Sequence, residues 1–197
     1  MIDKQLKRIG IFGGTFNPPH LGHLIVAEHV RSLLSLDRVY FIPSYISPHK
    51  RKGEEVLASD RLTMVRLAVK TNKAFACSDI EIKQKGTSYT YRTVESFHKT
   101  FPEARLILLI GADNFGEFGS WKYPERICDK ASLVVMSRPV EVKTVGTQFA
   151  DVAKFVDVPA IEISATEIRS RIKKGKSIRY LIPENVYRYI MEHDIYR

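Results

Sequence analysis

Two histidines three positions apart, His20 and His23, close the stretch Gly13-Gly14-Thr15-Phe16-Asn17-Pro18-Pro19-His20-Leu21-Gly22-His23. At that spacing on the first turn of a helix they share one face near the end that carries partial positive charge. Gly13 and Gly14 remove side chains where backbone amides can approach a ligand, and Gly22 leaves room between the imidazoles. Two imidazoles and several amides converging on one point suit an anion, above all a phosphate. The order of residues is neither the GxGxxG dinucleotide fingerprint nor the GxxxxGK[ST] phosphate loop. A second anion-binding arrangement lies far downstream in Ile163-Ser164-Ala165-Thr166-Glu167-Ile168-Arg169. There Ser164 precedes a helix whose free amides attract anions, and Arg169 offers a two-pronged donor from its first turns. Ser164 with Glu167 also reads as an ordinary helix cap, and one residue can do both.

The elements that must position these residues alternate. Apolar, β-rich runs are expected as strands at Arg8 to Phe12, Arg38 to Ile42, Phe75 to Ile82, Arg105 to Ile110, Ser132 to Met136 and Ala160 to Ile163. Helical spacing falls between them at Leu21 to Leu34, then at Leu62 to Val69 after Ser59 as N-cap, then at Thr90 to His98. Two further helices are expected after the last strand, Ala165 to Lys174 stopping at Gly175, and Pro183 to His193. Alternation of this kind makes an α/β fold, a doubly wound, mostly parallel, Rossmann-like sheet, with residues 165–197 as a small C-terminal helical appendage of one domain spanning 1–197. In such a sheet ligands sit beyond the carboxyl ends of the strands, so the turn after the first strand stands where a nucleotide would be held, and Asp113, which follows the run Leu106 to Ile110, reads either as a nucleotide contact there or as a helix cap.

Composition narrows the classes without choosing among them. The 197 residues carry 31 Lys and Arg against 22 Asp and Glu, a formal charge of +9 that favours an anionic partner. The longest run without Asp, Glu, Lys or Arg, residues 9–27, is broken by Asn17, Pro18, Pro19 and two histidines, and the first residues do not follow signal-peptide order, so the reading is a cytoplasmic protein without membrane partner. The two cysteines, Cys77 and Cys128, stand apart from each other and from any histidine pair, which argues against a zinc site or a disulfide framework. A nucleic-acid-binding module finds no supporting motif, since the basic residues are scattered over several segments. The basic run His49-Lys50-Arg51-Lys52 reads from charge alone either as a phosphate-binding loop or as a solvated face. The one tryptophan, Trp121, lies near Gly116, Gly119 and Pro124, a loop context that suits stacking on a flat heterocycle better than deep core.

The stretch Gly13 to His23 resembles the signature of the HxGH nucleotidyltransferase superfamily, and Ile163 to Arg169 is similar to that superfamily's ISSTxIR motif. Ser47-Pro48-His49-Lys50, Gly86-Thr87-Ser88-Tyr89-Thr90, Gly111-Ala112-Asp113-Asn114-Phe115 with Trp121, and the terminal Ile195-Tyr196-Arg197 resemble the bacterial nicotinate-nucleotide adenylyltransferase family. The resemblance implies transfer of the adenylyl group of ATP to nicotinate mononucleotide, giving deamido-NAD and pyrophosphate. It implies ATP contacts from Gly13, Gly14, Thr15, Phe16, His20, His23, Gly111, Asp113, Ser164, Thr166 and Arg169, with His20, His23 and Arg169 as the catalytic set. The mononucleotide would be held by Lys50, Thr87, Ser88, Tyr89 and Trp121, with free amides entering the helix at Thr90 aimed at the ring substituent. Magnesium would be carried mainly by the ATP phosphates, with no metal ligands from the protein, and a homo-oligomer is left open. Related enzymes such as phosphopantetheine adenylyltransferase or a cytidylyltransferase would share the ATP half; the Gly86 to Thr90 and Trp121 segments speak against them. Asn17 stands where the family often has Asp, and Ala165 replaces one serine of the phosphate motif.

Overall fold

The computed structural model describes residues 6–46, 56–137 and 148–197. Its elements run β1 (Arg8–Gly14), α1 (Leu21–Leu33), β2 (Arg38–Pro43), α2 (Ala58–Val69), β3 (Phe75–Cys77), α3 (Ile80–Gln84), α4 (Thr90–Thr100), β4 (Arg105–Gly111), α5 (Ala112–Gly116), α6 (Pro124–Cys128), β5 (Ala131–Ser137), β6 (Ala153–Asp157), α7 (Ala165–Lys173) and α8 (Glu184–Glu192). The strands form one six-stranded sheet in the order β3-β2-β1-β4-β5-β6. The pairs β1 with β4, β4 with β5 and β5 with β6 are parallel. The winding direction reverses beside β1, which is the doubly wound plan expected from the alternating sequence.

By contacts the chain forms two compact units. The first comprises Met1–Gly13, Val26–Tyr40 and Tyr89–Ala160. Its centre is the run Leu106 to Ile110, each residue no more than 3% exposed, so this strand is covered on both faces and has no polar side. Gly10 of β1 is required by packing, because a Cβ there would stand 3.0 Å from Leu36 and 3.1 Å from Val39.

The second unit comprises Gly14–Ile25, Phe41–Ser88 and Ile161–Arg197. Its core joins Met64 and Ala68 of α2 to Ile168 and Ile172 of α7, Val186 and Ile190 of α8, and Ile178, Ile182 and Ile195. The C-terminal helices therefore share a core with α2, and the Tyr189 hydroxyl donates to Asp60 at 2.9 Å across it.

Three sequence expectations change. The run Phe75 to Ile82 is strand only to Cys77 and turns into α3, where Asp79 holds Arg66 and Lys83 at 3.0 and 3.1 Å. The alternating Ala160 to Ile163 is not a strand; the last strand is β6, Ala153–Asp157. Ile163 packs instead against the core of α2, α7 and α8, so its alternation serves side-chain burial and not a ladder. Ser59 is not the cap of α2: the helix starts at Ala58 behind Leu57, and the Asp60 and Arg61 amides donate to the Leu57 carbonyl.

Candidate active site

The turn after β1 is shaped by one aromatic ring. Phe16 adopts φ +50 and folds back over Gly14, where a Cβ would meet its ring atoms at 3.0 to 3.2 Å. A side chain at position 14 would press on that ring, and glycine avoids the contact. Phe16 is 2% exposed, with its ring edge-on to His23 at 5.1 Å and tilted against Phe41 at 5.8 Å. Its side chain is thus support beneath an imidazole, and any contact of Phe16 with a ligand falls to its backbone.

His20 and His23 stack with ring centroids 3.6 Å apart and planes at 28°. The His20 amide donates to His23 Nδ1 at 3.1 Å, so the neutral ring of His23 carries its proton on Nε2 and presents a donor there. His20 is 8% exposed, and its Nδ1 is buried without a hydrogen-bond partner. A buried polar atom left so is costly unless something occupies it, and in the tautomer that carries its proton on Nδ1 the ring would donate there to a phosphate oxygen. Burial lowers the His20 pKa to about 4. Burial and then the neighbouring His20 lower that of His23 to about 3. Both rings are neutral at pH 7, so they offer N–H dipoles and not full charges.

Gly22 differs from its expected part. The space above it is filled by the His20 ring: a Cβ on residue 22 would sit 3.0 Å from Nδ1 and 3.1 Å from Cε1, with Ile161 at 3.4 Å. The glycine makes room for the histidine, not for a ligand. The expected group of free amides is also smaller, since the Leu21 amide donates to Leu181 O and the His23 amide to His20 O, both at 3.0 Å.

Arg169, one and a half turns into α7, donates from Nη1 to the Asn17 carbonyl at 2.9 Å and from Nη2 to Thr166 Oγ1 at 3.3 Å. Ser164 is the N-cap of α7 and accepts from the Glu167 amide at 3.1 Å. The two motifs distant in sequence thus meet at Asn17. The Tyr196 hydroxyl completes that joint, donating to Asn17 Oδ1 at 2.6 Å. Burial pushes the Tyr196 pKa up and keeps the phenol protonated, while Arg169 and Arg61 oppose the shift. A carboxylate at position 17 would accept from the same hydroxyl, so the asparagine costs the joint nothing.

Arg61 is the residue that sequence reasoning missed. At 1% exposure it donates to the carbonyls of Thr15 at 2.9 Å, Ser44 at 2.7 Å and Tyr45 at 2.9 Å, and more weakly to Val56 at 3.4 Å. One buried cation ties the chain after β1 to the chain after β2 and to the segment before α2. The available signal was its place on the buried stripe of α2, in step with Met64, Val65 and Ala68.

On the acceptor side, Thr87 bridges Ile46, the Ser88 amide donates to Ile46 O at 2.9 Å, and Ser88 Oγ accepts from the Tyr45 amide at 2.8 Å. The Ser88 amide is therefore spent inside the protein, contrary to the expectation of a free donor aimed at a ring substituent. These residues, with Gly14, Thr15, Phe16, His20, His23, Ser164, Thr166 and Arg169, belong to the second unit. Gly13, Tyr89, Gly111, Asp113 and Trp121 belong to the first. Within it Gly13 and Gly111 have open space at Cβ, Asp113 is exposed in the first turn of α5, and Trp121 is half-buried against Phe118 at 5.3 Å. Tyr89 precedes α4 and carries the Lys122 ammonium 4.8 Å from its ring centre. Lys50, with Arg51 and Lys52, lies outside the described residues.

Residues 11–171 match the family model for cytidylyltransferase-like proteins. A Desulfitobacterium hafniense protein called "Probable nicotinate-nucleotide adenylyltransferase" is 43% identical over 100% of this chain and 99% of its own length. A protein of the same name from Salinibacter ruber is 39% identical over 96% and 97%. Among solved structures, nicotinic acid mononucleotide adenylyltransferase of Plasmodium falciparum complexed with NaAD superposes with a TM-score of 0.79 at 17% identity, covering 96% of this chain and 97% of the other. That likeness is one of fold.

Proposed function

The chain belongs to the cytidylyltransferase-like family and, within it, to the nicotinate-nucleotide adenylyltransferases, and from that premise we propose how its residues carry the reaction. ATP and nicotinate mononucleotide give nicotinate adenine dinucleotide and pyrophosphate: the acceptor's phosphate oxygen bonds to the α-phosphorus as the bond to the β-phosphate oxygen breaks. The acceptor phosphate is already ionised near neutral pH, so no general base is needed, and catalysis rests on position and on stabilising charge as it moves.

The observation that carries the assignment of roles is the stacked, desolvated pair of imidazoles, one with an unpartnered buried nitrogen and the other with its tautomer fixed. His20 and His23 donate to phosphate oxygens around the α-phosphorus. Arg169, already oriented by Asn17 and Thr166, turns its remaining N–H groups to the departing pyrophosphate with the α7 amides behind Ser164 and Thr166. Gly13, Gly14, Thr15 and the Phe16 backbone line the path of ATP, and Gly111 and Asp113 take its nucleoside. We assign the acceptor to Trp121 and Tyr89, whose rings suit stacking on its base, and to Thr87, Ser88 and Lys50, whose side chains suit its polar groups. Magnesium arrives with ATP as part of the substrate; among the described residues no group of three or more His, Cys, Asp or Glu side chains is placed to hold a metal ion. No helix of the described residues is long and apolar enough to cross a membrane, and we place the enzyme with its water-soluble substrates in the cytoplasm.

The test is pyrophosphate release from ATP and magnesium with a panel of acceptors: nicotinate mononucleotide, its amide counterpart, phosphopantetheine and CTP-dependent substrates. Nicotinate mononucleotide should be preferred, and folded His23→Ala should lose about 100-fold or more in kcat. Preference for another acceptor overturns the substrate, and near-normal turnover by folded His23→Ala overturns the centre.

A further inference from the structure

The sheet carries a second concentration of cations at its amino-terminal edge, the end opposite to that from which the turn bearing His20 and His23 departs. Arg8 of β1 is in register with Arg105 of β4, Ile107 of β4 with Ser132 of β5, and Val134 of β5 with Lys154 of β6. Residues in register on parallel neighbours share a face, and so do alternate residues of one strand. Arg8, Arg105 and Lys154 therefore stand on one face of the first unit, with the apolar Ile107 and Val134 between them. Along that face runs a cavity of about 380 Å³, closed on another side by Leu34 after α1.

Two features of this cavity are unfavourable in the protein alone. Like charges on directly adjacent strand positions repel, yet Arg8 and Arg105 are neighbours, and among the described residues lining the cavity none carries a carboxylate. Arg8 Nε is moreover buried without a hydrogen-bond partner, a cost that an acceptor in the cavity would remove. Asp37 does not line the cavity, and its Oδ2 accepts from the Lys7 and Arg8 backbone amides at 2.8 and 2.7 Å. Ser132 Oγ accepts from Arg105 Nε and Nη2 at 3.4 and 3.3 Å, which leaves its own proton to donate. Three cations and a hydroxyl donor beside apolar walls, in a cavity of small-molecule size, define the ligand's chemistry.

We infer that this cavity is a second ligand site, separate from the adenylyl-transfer residues, that takes a small organic phosphate: a dianionic phosphomonoester on Arg8, Arg105 and Lys154 with an apolar body against Ile107, Val134 and Leu34. Nothing in the reaction needs these residues, so occupancy is measurable apart from turnover. Cys128 lines the cavity and serves as the reporter. In a Cys77→Ser background, the rate at which uncharged N-ethylmaleimide modifies Cys128 is followed against inorganic phosphate and against phenyl phosphate, with ionic strength held constant by chloride.

Both anions should slow the modification saturably, phenyl phosphate at the lower concentration. Arg105→Gln, at an exposed position, and Lys154→Gln should each raise the half-protecting concentration by about tenfold, as expected for one charge-assisted contact. Their kcat for adenylyl transfer should be unchanged. Protection should persist in Arg169→Lys, which separates this site from the proposed ATP phosphate contacts. No saturable protection, or protection equal in wild type, Arg105→Gln and Lys154→Gln, overturns the site. Equal potency of phosphate and phenyl phosphate overturns the apolar half, and benzoate matching phenyl phosphate overturns the phosphate class.

Discussion

Single side chains at the start of α1 set the chemistry through what they displace from water. The two histidines are neutral in the folded protein, with pKa values lowered to about 4 and about 3, while in the unfolded chain they titrate near 6.5. Above pH 6.5 both states are neutral and the groups add no pH dependence. As pH falls from 6.5 towards 4 the unfolded chain binds protons that the folded protein refuses, so stability is lost across that window, on the order of 3 kcal/mol from His20 alone. Urea midpoints should drop between pH 6.5 and 4 and drop less in His20→Asn. A pH-independent difference between the two proteins would show that His20 is not desolvated.

Gly22 yields a sharper residue-scale test. Alanine there improves helix propensity by up to about 1 kcal/mol, yet its Cβ would stand 3.0 Å from His20 Nδ1 and push the ring aside. In the protein that remains folded, Gly22→Ala should lower kcat at least about tenfold, because misplacement of a reacting group costs rate steeply. Unchanged kcat would mean that the ring yields without consequence.

Elements hold these residues through contacts that sequence patterns reveal unevenly. The apolar run Leu106 to Ile110 announced a central strand because burial on both faces leaves no other composition. The edge strand Ala153–Asp157 was hidden for the converse reason: only Val156 is fully buried, and Lys154 and Asp157 are solvated as an edge permits. Ala160 to Ile163 showed the period of a strand, but Ile161 packs beside Gly22 and Ile163 against the helical core. A period of two marks alternate burial, and pairing has to be supplied from elsewhere. The histidines, Ser164 and Arg169 were legible because their chemistry is unusual at their spacing. Arg61 was not, because its partners are backbone carbonyls brought together by the fold, and no side-chain pattern records them. Tyr196 was legible only as part of a resemblance, and its bond to Asn17 spans nearly the whole chain.

Arg61 then carries the element-scale prediction. Lysine keeps the charge but cannot reach the Thr15, Ser44 and Tyr45 carbonyls together, leaving buried acceptors unpaired. Arg61→Lys should lower the unfolding free energy by about 3 kcal/mol in denaturant titrations. In the protein that remains folded, kcat/KM should also fall, because the turn that seats Phe16 beneath His23 loses its tie. Full activity at reduced stability would confine Arg61 to the core.

For the molecule as a whole, the formal charge of +9 and two polyanionic substrates separate attraction from chemistry. Charges spread over the surface act beyond a contact distance, and salt screens them within about 8 Å at physiological ionic strength. kcat/KM for both substrates should fall smoothly as chloride is raised, while kcat holds, because the bound phosphates already lie against fixed donors. Histidines neutral at pH 7 contribute nothing to that long-range field, whereas Arg169 does. His20→Ala should accordingly reduce kcat and leave the salt slope of kcat/KM as in wild type, and Arg169→Gln should reduce both the rate and the slope. A shallower slope in His20→Ala would mean that the imidazoles work as cations, and that the low pKa values of the free protein rise past neutrality when the nucleotide phosphates arrive.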